Sequence, residues 1–180
     1  MISQKLKQGD EVRVISPSRS LAIISKETRE IAIKKFKELG LKLSFSKNVE
    51  ESNEFNSSSI KSRVQDLHDA FKDKNVKAII TTIGGFNSNQ ILKYIDYKVI
   101  KNNPKILCGY SDITALLNAI YAKTGLVGYY GPHFSSFGMK KGIEYTSEYF
   151  KKCLFSNEII EIESSKEWSD DSWYMDQEKR

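Results

Sequence analysis

The sequence contains few of the residues that mark disulfide-rich or metal-binding proteins. Its 180 residues include two cysteines, three prolines and two histidines. Cys108 and Cys153 lie far apart in apolar surroundings, which favours two reduced thiols over a disulfide. No two Cys or His residues have the spacing of a zinc site, and neither a Walker sequence nor G-x-G-x-x-G occurs. The sequence therefore predicts no metal site and no phosphate loop of these common types.

Long hydrophobic runs are also missing. No apolar stretch approaches the ~20 residues that a membrane span requires. The N-terminal segment "MISQKLKQGDEVRVISPS" has no apolar core and no small-residue cleavage site. We therefore expect a cytoplasmic protein with no signal peptide and no membrane contact.

The net charge of +5 is unevenly distributed. Residues 157–180 contain eight acidic and three basic side chains, so the preceding 156 residues hold 25 basic and 15 acidic ones. A basic body can attract nucleic acid or another anionic ligand. The lysines are scattered along predicted helices and not clustered with aromatic residues, which favours a solvated helix surface and predicts no nucleic-acid partner.

Short β-rich runs alternate with amphipathic helical patterns along the whole chain. Strands are predicted at 11–16, 41–46, 76–83, 105–109 and 126–132, with a last, more exposed one in "EIIEIES" (158–164). Helices are predicted at 25–40, 59–74, 87–95, 112–125 and 146–155. This order predicts an α/β fold with a mostly parallel sheet and helices on both faces, of the flavodoxin-like or Rossmann-like type.

Three loops that follow predicted strands carry small or hydroxyl residues. They are "SPSRS" after the first strand, "IGGFNSN" after the third and "GYSDIT" after the fourth. Ligands of open parallel sheets bind outside the carboxyl ends of the strands. These loops are therefore the candidate site.

Ser111 stands where the fourth strand gives way to a helix. A nucleophile elbow places a serine at such a turn and directs the next backbone N–H, here that of Asp112, toward a developing oxyanion. The pattern G-x-S-x-G is incomplete, because Ile113 replaces the second glycine. A serine that caps the helix fits the pattern equally well. Gly84 and Gly85 form either a second oxyanion donor or a plain turn.

A nucleophilic serine needs a base, and the sequence offers only His68 and His133. His68 lies in the middle of a predicted helix, which favours a structural role. His133 follows a strand at the correct edge of the sheet, but its position beside Pro132 favours a pocket wall or a turn over a base. The residues alone give an elbow without a convincing triad.

Several segments together resemble the LD-carboxypeptidase-like serine peptidases. They are "GDEVRVISPS", "RVQDLHDAFKDKNVKAIITTIGGFNSNQIL", "YIDYKVIKNNPKILCGYSD" and "GYSDITALLNAIYAKTGLVGYYGP". The segment "EWSDDSWYMDQEKR" is similar to the tryptophan-bearing part of the branch that contains the microcin C self-immunity peptidase. The resemblance covers almost the whole chain.

The resemblance implies a role for individual residues. Ser111 would be the nucleophile, and the backbone N–H groups of Asp112 and of Gly85, or alternatively Gly84, would form the oxyanion hole. A further set would line the substrate cleft or stack on a base: Ser16, Pro17, Phe86, Asn87, Trp168 and Trp173. Packing at an interface is the alternative for the two tryptophans.

The resemblance also implies partners and a division of the chain. Residues 1–165 would form the nucleophile-bearing domain, and residues 166–180 would begin a linker or substrate loop. A C-terminal domain absent from this chain would supply the catalytic Glu and His, so the isolated chain would be nearly inactive. The substrate would be a peptide–nucleotide conjugate or a murein peptide, with no cofactor, and a homodimer is possible. The alternative is a non-catalytic α/β module that binds an anionic or nucleotide ligand.

Overall fold

A five-stranded sheet forms the centre of the computed structural model, which describes residues 1–170, 172 and 174–179. The strands are β1 (Glu11–Ile15), β2 (Lys42–Phe45), β3 (Val76–Thr81), β4 (Ile106–Gly109) and β5 (Tyr129–Tyr130). All neighbouring strands are parallel, in the order β2-β1-β3-β4-β5. The order reverses between β1 and β3, which is where open α/β sheets bind ligands. The predicted α/β fold is confirmed.

Five α-helices cover the two faces of the sheet. They are α1 (Lys26–Glu38), α2 (Ile60–Lys72), α3 (Tyr97–Asn102), α4 (Ile113–Thr124) and α5 (Glu144–Phe155). The Oγ atoms of Ser25 and Ser59 accept hydrogen bonds from the amides of Thr28 and Ser62 at the starts of α1 and α2. Gly125 ends α4 in a left-handed conformation.

Alternation along each strand creates two separate hydrophobic cores. Val14, Ile80 and Cys108 face α1 and α5 in one core. Ile15, Ile79 and Leu107 face α2, α3 and α4 in the other. Both faces of the central strands are therefore buried, as expected for a parallel sheet between two helical layers.

Two strand predictions differ from the structure, and one helix was missed. No strand forms at 158–164, where Ile159 and Ile162 are exposed and have no strand beside them to pair with. The strand predicted at 126–132 shortens to Tyr129–Tyr130, and helix α3 was not predicted. Within the described residues, no helix combines the length and apolarity needed to cross a membrane.

The buried end of α1 should carry a large share of the stability of the fold. Phe36 is fully buried and packs edge-on against Phe137, with ring centroids 4.7 Å apart. We expect Phe36→Ala to lower the free energy of unfolding by about 3–5 kcal/mol, because the lost ring leaves a cavity. Urea denaturation measures the change, with Ile33→Ala on the exposed side of α1 as the control. Equal losses in the two variants would contradict the assignment of this core.

Candidate active site

Ser111 occupies a strained turn between β4 and α4. Its φ angle is 59°, in the left-handed region that a residue with a side chain rarely adopts. The helix begins after Asp112, so Ser111 is not the capping residue. Its side chain is exposed, and its Oγ makes no hydrogen bond to any residue that the structure describes. The capping interpretation is therefore excluded, and the geometry is that of a nucleophile elbow.

Two glycines make room for this turn. A Cβ on Gly84 would lie 3.1 Å from the Oγ of Ser111, and a Cβ on Gly109 would lie 2.3 Å from the Oγ1 of Thr81. A side chain at position 84 would crowd the hydroxyl, and one at position 109 would overlap β3. Packing against neighbouring groups therefore explains why glycine stands at both positions.

Gly85 is exposed in the loop that follows β3. Its φ angle is 153°, and a Cβ there would lie 2.3 Å from the Oγ of Ser18. Gly85 thus packs against the loop after β1, while Gly84 packs against Ser111. The loops after β1, β3 and β4 meet at one point on the carboxyl edge of the sheet.

The carboxylate of Asp112 connects these three loops. Its Oδ2 accepts hydrogen bonds from the Oγ of Ser18 at 2.6 Å and from the amides of Asn87 and Ser88 at 3.0 and 2.9 Å. Burial opposes ionisation, but these hydrogen bonds outweigh it and hold the pKa of Asp112 below its ordinary value. We name this arrangement of Ser18, Asn87, Ser88 and Asp112 the carboxylate clamp.

Arg63 of α2 supports the two loops that contribute Ser18 and Asn87 to the clamp. Its buried guanidinium donates to the carbonyls of Pro17 and Asn87 at 3.3 and 3.0 Å, and to the Oε1 of Gln90 at 2.8 Å. Burial lowers the pKa of Arg63, and the negative charge of Asp112 opposes that effect. The half-buried negative charge of Asp112 and the buried positive charge of Arg63 are therefore each held by hydrogen bonds.

His133 lies behind the elbow and is almost completely buried. Its Nδ1 shares a 2.7 Å hydrogen bond with the Oγ1 of Thr81, and its ring stacks on Tyr110 at 4.2 Å between centroids. Its Nε2 has no hydrogen-bond partner among the described residues and lies 3.4 Å from the Cβ position of Gly84. Burial lowers the pKa of His133 to about 4, so the ring is neutral at pH 7. The ring therefore packs behind the turn as a neutral, buried side chain.

The other expected site residues occupy different environments. Ser16 is buried and donates to the carbonyl of Val49 at 2.8 Å, and Pro17 is buried beside it. Phe86 is exposed, while Asn87 is buried within the clamp. Only Phe86 of these four therefore presents its side chain openly to solvent next to the elbow.

Trp168, the one tryptophan among the described residues, lies apart from the elbow. Trp168 is exposed and lines a cavity of about 680 Å³ together with Tyr145 and Tyr149 of α5. None of the residues that form the elbow or the carboxylate clamp lines this cavity. Trp173 falls outside the described residues.

His68 has a structural contact far from Ser111. Its Nε2 accepts a hydrogen bond from the amide of Asp96 at 2.9 Å, at the start of α3. The structural interpretation of His68 is consistent with this contact.

The candidate site predicted from the sequence included the loops that hold Ser18 and Ser88, but Arg63 and the side chain of Asp112 were missed. Arg63 could have been found, since it falls three residues after Ile60 and four before Leu67, on the apolar face of a predicted helix. The Asp112 carboxylate gave no signal, because only the fold shows which amides it faces. Among the described residues, no three Asp, Glu, His or Cys side chains are grouped so that they could hold a metal ion.

Comparison with known proteins gives a consistent result. A family model for the LD-carboxypeptidase N-terminal domain matches residues 12–131. YocD of Bacillus subtilis (strain 168), which is named as a carboxypeptidase, is 59% identical to this chain over 180 residues. The match covers 100% of this chain and 55% of YocD. The chain therefore belongs to the LD-carboxypeptidase family, whose members are carboxypeptidase-like hydrolases.

Solved structures extend the similarity to the whole fold. An MccF-like protein from Bacillus anthracis superposes with a TM-score of 0.97 at 65% identity, covering 98% of this chain and 54% of that one. MccF, the microcin self-immunity protein of Escherichia coli, is 35% identical over 96% of this chain and 51% of its own. Its complex with aspartyl sulfamoyl adenosine superposes with a TM-score of 0.89. The chain spans about half the length of these relatives.

The carboxylate clamp should contribute stability only while Asp112 is ionised. We expect Asp112→Asn to lower the free energy of unfolding by about 2 kcal/mol at pH 7, because an amide cannot accept the same charge-assisted hydrogen bonds. Asp112 has a lower pKa in the folded chain than the value of about 3.9 for an unfolded chain. The stabilisation is therefore fully present above about pH 3.9 and disappears as the pH falls through the folded-state pKa. Urea denaturation at pH 7 and at about pH 3 measures this difference.

Glu30→Gln, which removes an exposed carboxylate from α1, is the matched control for this experiment. Amide hydrogen exchange at Asn87 and Ser88 should also accelerate in Asp112→Asn and stay unchanged in the control. An equal loss of stability at both pH values, with unchanged exchange at these amides, would contradict the role of the clamp.

The His133 ring should remain neutral throughout the physiological range. In His68→Gln the chain keeps one histidine, so its NMR signals can be assigned to His133. We expect a titration midpoint at about 4, because burial penalises the charged ring. The unfolded chain takes up this proton near pH 6.5, so stability should also fall between that pH and about 4. A midpoint near 6.5 would show that the ring is open to solvent.

Proposed function

We propose that this chain is the nucleophile-bearing part of a serine peptidase that hydrolyses an amide bond through an acyl-enzyme. The observation that carries the proposal is the exposed hydroxyl of Ser111 in a left-handed turn, with Gly84 packed directly against it. A backbone strained in this way occurs where function requires the geometry. Membership of a family of carboxypeptidase-like hydrolases supports the same assignment.

The chemistry would begin with attack by the Oγ of Ser111 on the substrate carbonyl carbon. As the Oγ–carbon bond forms, the hydroxyl proton passes to a base and the carbonyl oxygen becomes an oxyanion. The backbone N–H groups of Asp112 and Gly85, with Gly84 as the alternative, would donate to that oxyanion. Cleavage of the C–N bond then releases the amine with a proton from the same base, and water hydrolyses the ester.

The base is proposed to come from outside this chain. His133 is a poor candidate, because its pKa is about 4 and its Nδ1 is already bonded to Thr81. The resemblance to the family implies a Glu and a His in a second domain, and the chain matches only about half of its relatives. Base assistance is commonly worth ~10²–10⁴-fold. The isolated chain should therefore be nearly inactive.

The substrate is proposed to be a small peptide–nucleotide conjugate. The superposition with MccF bound to aspartyl sulfamoyl adenosine supports this class. A murein peptide is the alternative, because two other relatives are named murein peptide carboxypeptidases. Phe86 and Asn87 would line the cleft beside the elbow. Trp168 could stack on the nucleotide base only after it moves toward Ser111 or after a second domain closes, since it lines a different cavity here. Trp173 is the alternative for this stacking.

Labelling with a fluorophosphonate probe tests the proposal. The chain alone should react at least about 10²-fold more slowly than a fusion in which it replaces the N-terminal half of YocD, because only the fusion contains a base. Ser111→Ala should abolish labelling of the fusion. Ser111-dependent labelling of the isolated chain at the rate of the fusion would refute the claim of inactivity.

Substrate choice is tested with the same fusion. It should cleave an aspartyl–nucleotide amide faster than an LD-linked murein tetrapeptide, as measured by chromatography of the released amine. A folded fusion that binds the nucleotide but shows no labelling and no turnover would favour the non-catalytic binding module. The reverse order of rates would assign the murein peptide.

A further inference from the structure

A second cavity lies at the amino end of the sheet, away from Ser111. Its volume is about 470 Å³, and it is formed where the N-terminal segment passes the starts of β3 and β4. Lys105 precedes β4 and Ser111 follows it, so the two positions lie at opposite edges of the sheet. This cavity therefore has no part in the proposed acyl transfer.

Positive charge dominates the lining of this cavity. Five lysines contribute to it: Lys5, Lys7, Lys74, Lys77 and Lys105. Asp10 is the single carboxylate among the lining residues, and its Oδ2 accepts a 2.8 Å hydrogen bond from the amide of Lys7. Among the described residues that form the wall, the formal charge is therefore strongly positive.

Three of these lysines, Lys74, Lys77 and Lys105, have neutral hydrogen-bond partners. The Nζ of Lys105 donates to the carbonyl of Asp73, the Nζ of Lys77 to the carbonyl of Lys74 at 2.8 Å, and the Nζ of Lys74 to the Oδ1 of Asn103 at 2.8 Å. The carboxylate of Asp73 is used elsewhere, since it pairs with Arg13 at 3.0 Å. No ion pair to Lys74, Lys77 or Lys105 occurs in the described part of the chain.

Lys105 is the most unusual member of this group because it is buried. Burial is the largest of the effects that lower its pKa to about 8. The charge of Asp73 opposes burial, and the charges of Lys77, Lys74 and Arg13 act with it. Burying the ammonium group of a lysine costs free energy unless an anion compensates for its charge. Asp73 compensates for Lys105 only in part, because its carboxylate is paired with Arg13.

We propose that this cavity binds a multivalent oxyanion of the phosphate class through the ammonium groups of Lys74, Lys77 and Lys105. The cavity is large enough for pyrophosphate or for the phosphates of a nucleotide, and its concave wall allows several ammonium groups to contact one ligand. Lys5 and Lys7 also line the cavity and add long-range attraction to the same ligand.

Titration of the ¹⁵N-labelled chain with inorganic pyrophosphate tests the proposal. We expect saturable one-to-one binding, with amide shifts concentrated in 74–77 and 102–105. Affinity should fall at least about fivefold in the double variant Lys74→Gln/Lys77→Gln, and also when salt is raised, because the contacts are partly screened charge pairs. A parallel titration with ADP distinguishes a free phosphate ligand from a nucleotide-borne one.

Lys26→Gln/Lys61→Gln is the charge-matched control, since both lysines are exposed in the first turns of α1 and α2, at the opposite, carboxyl edge of the sheet. This variant should keep the wild-type affinity within about twofold. Lys105→Met, which retains most of the buried volume, should weaken binding as well. Three results would each overturn the proposal: equal affinity in the two double variants, amide shifts centred on the elbow, or no saturation at about 20 mM pyrophosphate. Binding that is not saturated at this concentration is weaker than specific ligands usually show.

Discussion

The candidate site depends on one half-buried carboxylate. Asp112 follows the elbow directly, and its side chain accepts hydrogen bonds from Ser18 after β1 and from Asn87 and Ser88 after β3. A half-buried carboxylate needs such donors to remain charged, and these loops need a common acceptor to remain in place. One interaction therefore sets the positions of the three loops around Ser111. Arg63 balances the charge from the opposite side.

Close packing around the elbow explains its local strain. Ser111 adopts a left-handed φ angle, and Gly84 and Gly109 provide the space in which the turn and the strand below it can fit. His133 fills the volume behind the turn as a neutral ring stacked on Tyr110 and bonded to Thr81. A strained turn persists only when its surroundings determine it, and this packing does so.

The two edges of the sheet have different electrostatic characters. The carboxyl edge gathers the elbow, the small-residue loops and a carboxylate balanced by Arg63. The amino edge gathers lysines with neutral acceptors around a cavity. If both proposals hold, the same parallel sheet separates an acyl-transfer site from an anion site by the length of its strands.

The sequence by itself determined most of the fold. Apolar β-branched runs, amphipathic helices and the small-residue loops predicted the layers of the sheet and the edge at which Ser111 lies, because these signals are local in the chain. The alternating pattern of "EIIEIES" led to a wrong strand prediction, because a strand also needs a neighbouring strand, and no strand of the sheet pairs with this segment. The local pattern around Ser111 left an elbow and a helix cap equally open.

The choice between an elbow and a helix cap at Ser111 depends on tertiary contacts, because the φ angle of Ser111 and the start of α4 depend on packing against β3 and on Gly84. The tertiary structure also decided the roles of Arg63 and of the Asp112 carboxylate, whose partners lie 24–94 residues away along the chain. Hydrogen bonds at such separations follow from how the strands are ordered, which no local pattern encodes. The sequence thus placed the hydroxyl, and the fold arranged what surrounds it.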